Sequence, residues 1–314
     1  MALKEVLRIV TAVLGVVAAA ELGIAVYFYR RTMIRGNAKT DRTIKMAGTD
    51  WNQHMPFIQA RKEAMLSENH SDEWIISSDG LRLHATWFPQ GECKKIVICF
   101  HGYTSQGMKD YLGLSGYYLK NGYSMLLVDE RAHGESEGKY IGFGCLDRID
   151  ALKWINWVLR KCGEDVEILL HGTSMGGATV LMMSSLELPA QVKGIVSDCA
   201  FTSPKEVFSH VLKSMYHLPA FPVMNISNFL NKRFAGYGLD ECNAAREVKK
   251  AKVPILFIHG SGDTFVPYSM CETMYENCAS SKKKLIIEGA AHAECYYKDT
   301  DAYENALTEF IGGL

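Results

Sequence analysis

From Ile9 to Tyr29 the chain carries an almost unbroken apolar run, IVTAVLGVVAAAELGIAVYFY, interrupted by Glu21 and followed by Arg30 and Arg31. Its length matches the roughly 20 residues a helix needs to cross ~30 Å of hydrocarbon, and Tyr27, Phe28 and Tyr29 ahead of the arginines suit a membrane interface. The pattern predicts an uncleaved transmembrane helix within an anchor segment, residues 1–35. A cleaved signal peptide would have a shorter run and a small-residue cleavage site. The alternative is an amphipathic helix lying on the domain, and Glu21 speaks for it. Residues 36–72 are polar, with a helical pattern around Trp51 to Leu66, and read as a helical stalk.

A catalytic domain is expected over residues 73–314. Asp79-Gly80 is a hairpin signal, and Leu81, Leu83, Ala85 and Trp87 alternate with polar residues after it, so Trp74 to Trp87 reads as two antiparallel strands. Beyond it the runs KIVICF, SMLLVD, VEILLH, GIVSD, PILFIH and KLIIE recur, separated by segments long enough for helices. Strands alternating with helices predict a parallel sheet buried on both faces, with its site at the carboxyl ends.

More than fifty residues separate GIVSD from PILFIH, broken by Pro204, Pro219 and Pro222. This is too long for one crossover helix and predicts a helical lid over about residues 201–248. Its Phe208, Met215, Phe221, Met224, Phe229 and Phe234 form either an apolar acyl pocket or the lid's own core.

Charge and composition narrow the function. A formal net charge of -1 and the lack of a long basic stripe argue against nucleic acid as a partner, and Lys282 to Lys284 reads as a solvated turn. Nine scattered cysteines without CxxC fit reduced thiols better than a disulfide framework. With no HExxH, EF-hand loop or P-loop, nothing calls for a metal or other cofactor.

The strongest chemical signal is Gly172-Thr173-Ser174-Met175-Gly176-Gly177, between the apolar strand VEILLH and the helical run ATVLMMSSLEL. That is a G-x-S-x-G elbow in its strand-turn-helix context, where the glycines make room for a strained turn that presents the serine hydroxyl. Taken alone, the motif is also met as an ordinary glycine-rich turn. A serine needs a base, and the base an orienting acid. His292, in the small-residue loop after LIIEGAA, suits the base, whereas His101, His171 and His259 end strands and read as structural. Asp263, in HGSGDTFVP, suits the acid, with Asp198 at the end of GIVSD as rival. The N–H groups of Tyr103 and Met175 suit an oxyanion hole, since Gly102 allows close approach and Met175 opens a helix.

HGYTS, DERAHGES, GTSMGG, HGSGDTFVP and GAAH, in this order, resemble the α/β-hydrolase superfamily, in particular bacterial membrane-anchored hydrolases of the esterase and aminopeptidase-like type. The resemblance covers about residues 73–314. It implies an eight-stranded, mostly parallel sheet flanked by helices, with a cap inserted after the sixth strand. By position it implies Ser174 as nucleophile, Asp263 as acid, His292 as base, and Tyr103 with Met175 as oxyanion donors. In DERAHGES, Asp129, Arg131, His133 and Gly134 match a turn that is structural in that family.

The expected function is hydrolysis of a carboxylic ester of a small or medium acyl substrate. A thioesterase or serine peptidase would use the same residues, and a catalytically silent binding module is the reading from another class. The expected location is a cell membrane, crossed once. Arg30, Arg31, Arg35, Lys39, Arg42 and Lys45 follow the apolar run, against Lys4, Arg8 and the terminal amine before it, which predicts a cytoplasmic catalytic domain.

Overall fold

The computed structural model describes residues 3–36 and 49–314. Lys39, Arg42 and Lys45, on which the topology expectation partly rests, lie outside the described residues, as does the first part of the expected stalk. The chain opens on α1 (Leu3–Met33) and α2 (Met55–Ser67), followed by the antiparallel pair β1 (Ser71–Ile76) and β2 (Arg82–Phe88). Then come β3 (Lys95–Phe100), α3 (Gly107–Tyr111), α4 (Ser115–Lys120), β4 (Tyr123–Val128), α5 (Asp147–Cys162), β5 (Glu167–Thr173), α6 (Met175–Met183) and β6 (Val192–Asp198). The insertion holds α7 (Pro204–Met215), α8 (Val223–Phe234) and α9 (Ala244–Glu247). The chain closes with β7 (Ile255–Gly260), α10 (Tyr268–Asn277), β8 (Lys282–Ile287), α11 (Cys295–Lys298) and α12 (Thr300–Ile311).

The eight strands form one sheet in the order β1-β2-β4-β3-β5-β6-β7-β8, parallel from β4 to β8. Alternate residues of each inner strand enter different cores. Ile96, Ile98 and Phe100 face the side of α5, α6 and the insertion, while Val97 and Cys99 face that of α4 and α12. A strand covered on both faces has no solvated side for polar residues, which is why its run is continuously apolar.

Lys282 to Lys284 are not a turn but the first three residues of β8, at the edge of the sheet. The Nζ of Lys282 donates to the carbonyls of Tyr275 and Cys278, at 2.7 and 3.0 Å. Lysines on an edge strand also discourage pairing with another chain.

The apolar N-terminal run is one continuous helix whose residues before Ala25 are largely exposed. It is long and apolar enough to cross a membrane, a property that anchors and signal sequences share. Its last turns dock on the body: Ala25, Phe28, Tyr29, Thr32 and Met33 are buried, and Phe28 meets Phe208 of α7 edge to face at 5.8 Å. Beyond it, Arg35 reaches the carbonyls of Gly134 and Ser136.

The insertion does not use its aromatics as a single apolar lining. Phe208 and Met224 are buried, but Phe221, Phe229 and Phe234 are exposed. Phe229 is two positions from both Ser227 and Asn231, which α8 buries, and two positions are about 200° around a helix. Phe229 therefore stands on the opposite face.

Candidate active site

Register brings the loops together. Phe100 of β3 pairs with Gly172 of β5, Thr173 pairs with Asp198 of β6, and Gly260 of β7 pairs with Ile287 of β8. The segments that follow these residues all leave the same sheet edge. There Ser174 links β5 to α6 with φ 55° and ψ -108°, a backbone conformation that L residues rarely adopt. Its neighbours explain how so tight a turn fits. A Cβ on Gly172 would lie 2.1 Å from the carbonyl oxygen of Gly176, and one on Gly176 would lie 2.0 Å from that of Phe100.

The Oγ of Ser174 lies 2.8 Å from Nε2 of His292, and Nδ1 of His292 lies 2.7 Å from Oδ2 of Asp263. The other Asp263 oxygen accepts the N–H groups of Phe265 and Val266, at 2.9 and 2.8 Å. Burial alone would raise the Asp263 carboxyl, but His292 and His259 outweigh it and hold the group well below the carboxylate range. An ionised Asp263 accepts a hydrogen bond from the Nδ1–H of the imidazole and leaves Nε2 to accept from the serine hydroxyl. This arrangement can activate a hydroxyl for attack on an acyl carbon.

Met175 is the first residue of α6, so its N–H has no intrahelical partner. Tyr103 follows β3 on the same edge; its hydroxyl donates to the carbonyl of Arg31, and its ring packs 5.3 Å from Phe143.

Asp198 is not brought to His292. Its Oδ2 accepts from the Tyr303 hydroxyl at 3.0 Å, and its carbonyl accepts the N–H of Ser174 at 2.8 Å. Burial pushes its carboxyl up to about 6. Of the histidines read as structural, His101 bridges the Gly102 carbonyl and the Glu130 N–H, while His171 lies between the hydroxyls of Tyr118 and Tyr303. In the DERAHGES turn, Asp129 accepts from the N–H groups of Gly107 and Glu135 and pairs with His84, and Arg131 pairs with Asp79 and Asp150.

Two sets of contacts escaped the sequence reading. The Nε2 of His259 lies 3.4 Å from Asp263 Oδ2, the same oxygen that meets His292, and donates to the Val266 carbonyl at 2.9 Å. Burial opposes its charge, but Asp263 and Cys271 push its titration up to about 10. The i, i+4 spacing to Asp263 was the available signal. The segment before α2 reaches the His292 loop as well: the Thr49 hydroxyl donates to the His292 carbonyl at 3.1 Å, and Gln53 and His54 both meet Oε1 of Glu294. No motif announces these.

Residues 91–235 match the family described as serine aminopeptidase, S33. The uncharacterized protein YqkD of Bacillus subtilis is 30% identical over 226 residues, covering 72% of this chain and 73% of its own. Among solved structures, the Pyrococcus furiosus esterase Pf2001 superposes with a TM-score of 0.66 at 24% identity, over 79% of this chain and 92% of that one. The esterase EaEST of Exiguobacterium antarcticum does so with a TM-score of 0.57 at 18% identity, over 77% of this chain and all of that one.

Proposed function

The chain belongs to the α/β-hydrolase superfamily and is a serine hydrolase in general class, and we propose that it cleaves carboxylic esters with Ser174 as nucleophile, His292 as base and Asp263 as orienting acid. The observation that carries this reading is the unbroken relay from Ser174 through His292 to Asp263, at 2.8 and 2.7 Å. His292 takes the serine proton as Oγ bonds the acyl carbon. The negative charge on the carbonyl oxygen is held by the N–H groups of Met175 and Tyr103. When the tetrahedral centre collapses, the acyl–oxygen bond breaks and the alcohol leaves with the proton from His292. Water, deprotonated by the same imidazole, then releases the acid and restores the serine.

The strain at Ser174 supports this over a silent binding module. A backbone held at φ 55° is costly to keep unless the hydroxyl must be presented. An ester is favoured over an amide by the esterases among the solved structures of the same fold. The test is labelling of the full chain by a fluorophosphonate together with hydrolysis of p-nitrophenyl acetate. Labelling at Ser174 and turnover are expected. A chain that is neither labelled nor active overturns the reading.

A further inference from the structure

We propose that the insertion, through the exposed Phe229 on the outer side of α8 and its neighbours Phe221 and Phe234, lies in the interface of a lipid bilayer entered by α1, and that the ester reaching Ser174 is an acyl lipid drawn from that bilayer. The second half rests on the ester-hydrolase reading; the first does not.

The argument begins with length. The 31 residues of α1 extend about 46 Å, whereas a span needs roughly 20 residues, or ~30 Å. The exposed residues before Ala25 supply most of that span, while the turns after it are packed on the catalytic body. No flexible tether intervenes between span and enzyme. Whatever packs on Ala25 to Met33 is held within about ten residues of helix, some 15 Å, of the hydrocarbon edge.

What packs there is the insertion. α1 runs against α8, and Phe28 meets Phe208 of α7 and Tyr216 just beyond it, at 5.8 and 6.2 Å. On this same insertion Phe221 is 73% exposed, Phe229 67% and Phe234 53%. Three bared phenylalanines on one short insertion are unusual for a surface that meets only water. Lys232 and Arg233 are exposed between them, and Arg30 is exposed on α1. Aromatic side chains beside lysine and arginine suit a boundary where acyl chains give way to anionic headgroups.

The same contacts point to the substrate. Ser174 is 5% exposed and His292 fully buried, so little of the reacting pair faces solvent directly. From α1 a line of rings leads to the oxyanion loop: Phe28 on Phe208, Phe208 on Phe143 at 4.9 Å, and Phe143 on Tyr103. The loop bearing Tyr103 and the bilayer-facing insertion are therefore parts of one packed unit. An acyl chain in the membrane then lies beside the insertion that packs on this loop.

The experiment uses the full chain in vesicles of phosphatidylcholine and phosphatidylglycerol. Phe229→Trp adds emission to that of the five native tryptophans. Brominated phospholipid should lower the added emission about twofold, because interfacial side chains sit ~5–10 Å into the headgroup and acyl boundary. The triple variant Phe221→Ser, Phe229→Ser, Phe234→Ser should hydrolyse monooleoylglycerol held in the vesicles about tenfold more slowly, while its rate on water-soluble p-nitrophenyl acetate stays within about twofold of wild type. Quenching by iodide in water and not by the brominated lipid would leave the face in solvent, or against a protein, and overturn the docking. Lipid quenching combined with unchanged monooleoylglycerol turnover would overturn the lipid substrate. A wild-type chain inactive on both esters would remove the esterase reading instead, and quenching would still judge the docking.

Discussion

The hydroxyl of Thr49 donates to the main-chain carbonyl of His292 at 3.1 Å, although 243 residues separate them. Thr49 lies ahead of α2, so a residue outside the sheet and its crossovers helps fix the loop bearing the proposed base. A single such bond contributes ~1 kcal/mol, enough to alter the fraction of time the imidazole faces Ser174. Thr49→Val should lower kcat for p-nitrophenyl acetate about two- to fivefold, and Thr49→Ser should restore it. Equal rates for all three would mean that the loop holds itself.

Ser174→Ala should keep the fold and slow ester hydrolysis by at least ~10³, because the covalent route is gone. The left-handed backbone at this position makes a second expectation. Alanine keeps the strain and glycine relieves it, so Ser174→Gly should be the more stable of the two inactive variants by ~1 kcal/mol. Thermal melts side by side would decide this. A less stable glycine variant would show that the turn is not strained.

Asp263→Asn should cost up to ~10⁴ in turnover, since the amide donates to Nδ1 and turns the imidazole's acceptor away from the serine. Fluorophosphonate labelling should slow in parallel. A variant with near wild-type rates would mean that a group other than Asp263 orients the base.

Asp198→Asn should leave turnover within a few-fold and change the response of stability to pH. The folded protein raises this carboxyl from its ordinary 3.8 to about 6, through burial. A group raised on folding lends its stability fully below its unfolded value and loses it as pH climbs through the folded one. The wild type should therefore weaken between about pH 4 and pH 6, by up to ~3 kcal/mol, while the asparagine variant does not. Melting temperatures that diverge over this range and stay apart above it are expected. A constant gap at every pH would exclude the mechanism.

Much of the architecture was readable because buried strands have no freedom to be polar. KIVICF and VEILLH are apolar throughout since each feeds two cores. The convergence of Ser174, Asp263 and His292 was readable for a related reason: parallel strands deliver their following loops to one edge. What escaped was whatever depends on direction around an axis or on distant partners. Phe229 and Met224 look alike as apolar positions in a helical stretch, and only packing tells that Met224 turns inward and Phe229 outward. Lys282 to Lys284 looked like a turn because charge usually ends a strand; at the sheet's edge long side chains reach solvent or neighbouring carbonyls instead. Thr49 has no motif, since its partner is a main-chain oxygen that any residue could offer.

The packing of Phe28 on Phe208 also sets an order of events in biosynthesis. The two rings are about 180 residues apart, so at 5–20 residues per second the ribosome makes the second roughly ten to forty seconds after the first. For that interval the inner face of Ala25 to Met33 has no protein to cover it. The earliest helix to emerge is thus completed by one of the later ones, and something outside the chain must shelter it meanwhile. The dependence also runs the other way. A shortened gene product starting after residue 35 would lose the apolar span but would uncover the faces of α7 and α8 that α1 shields.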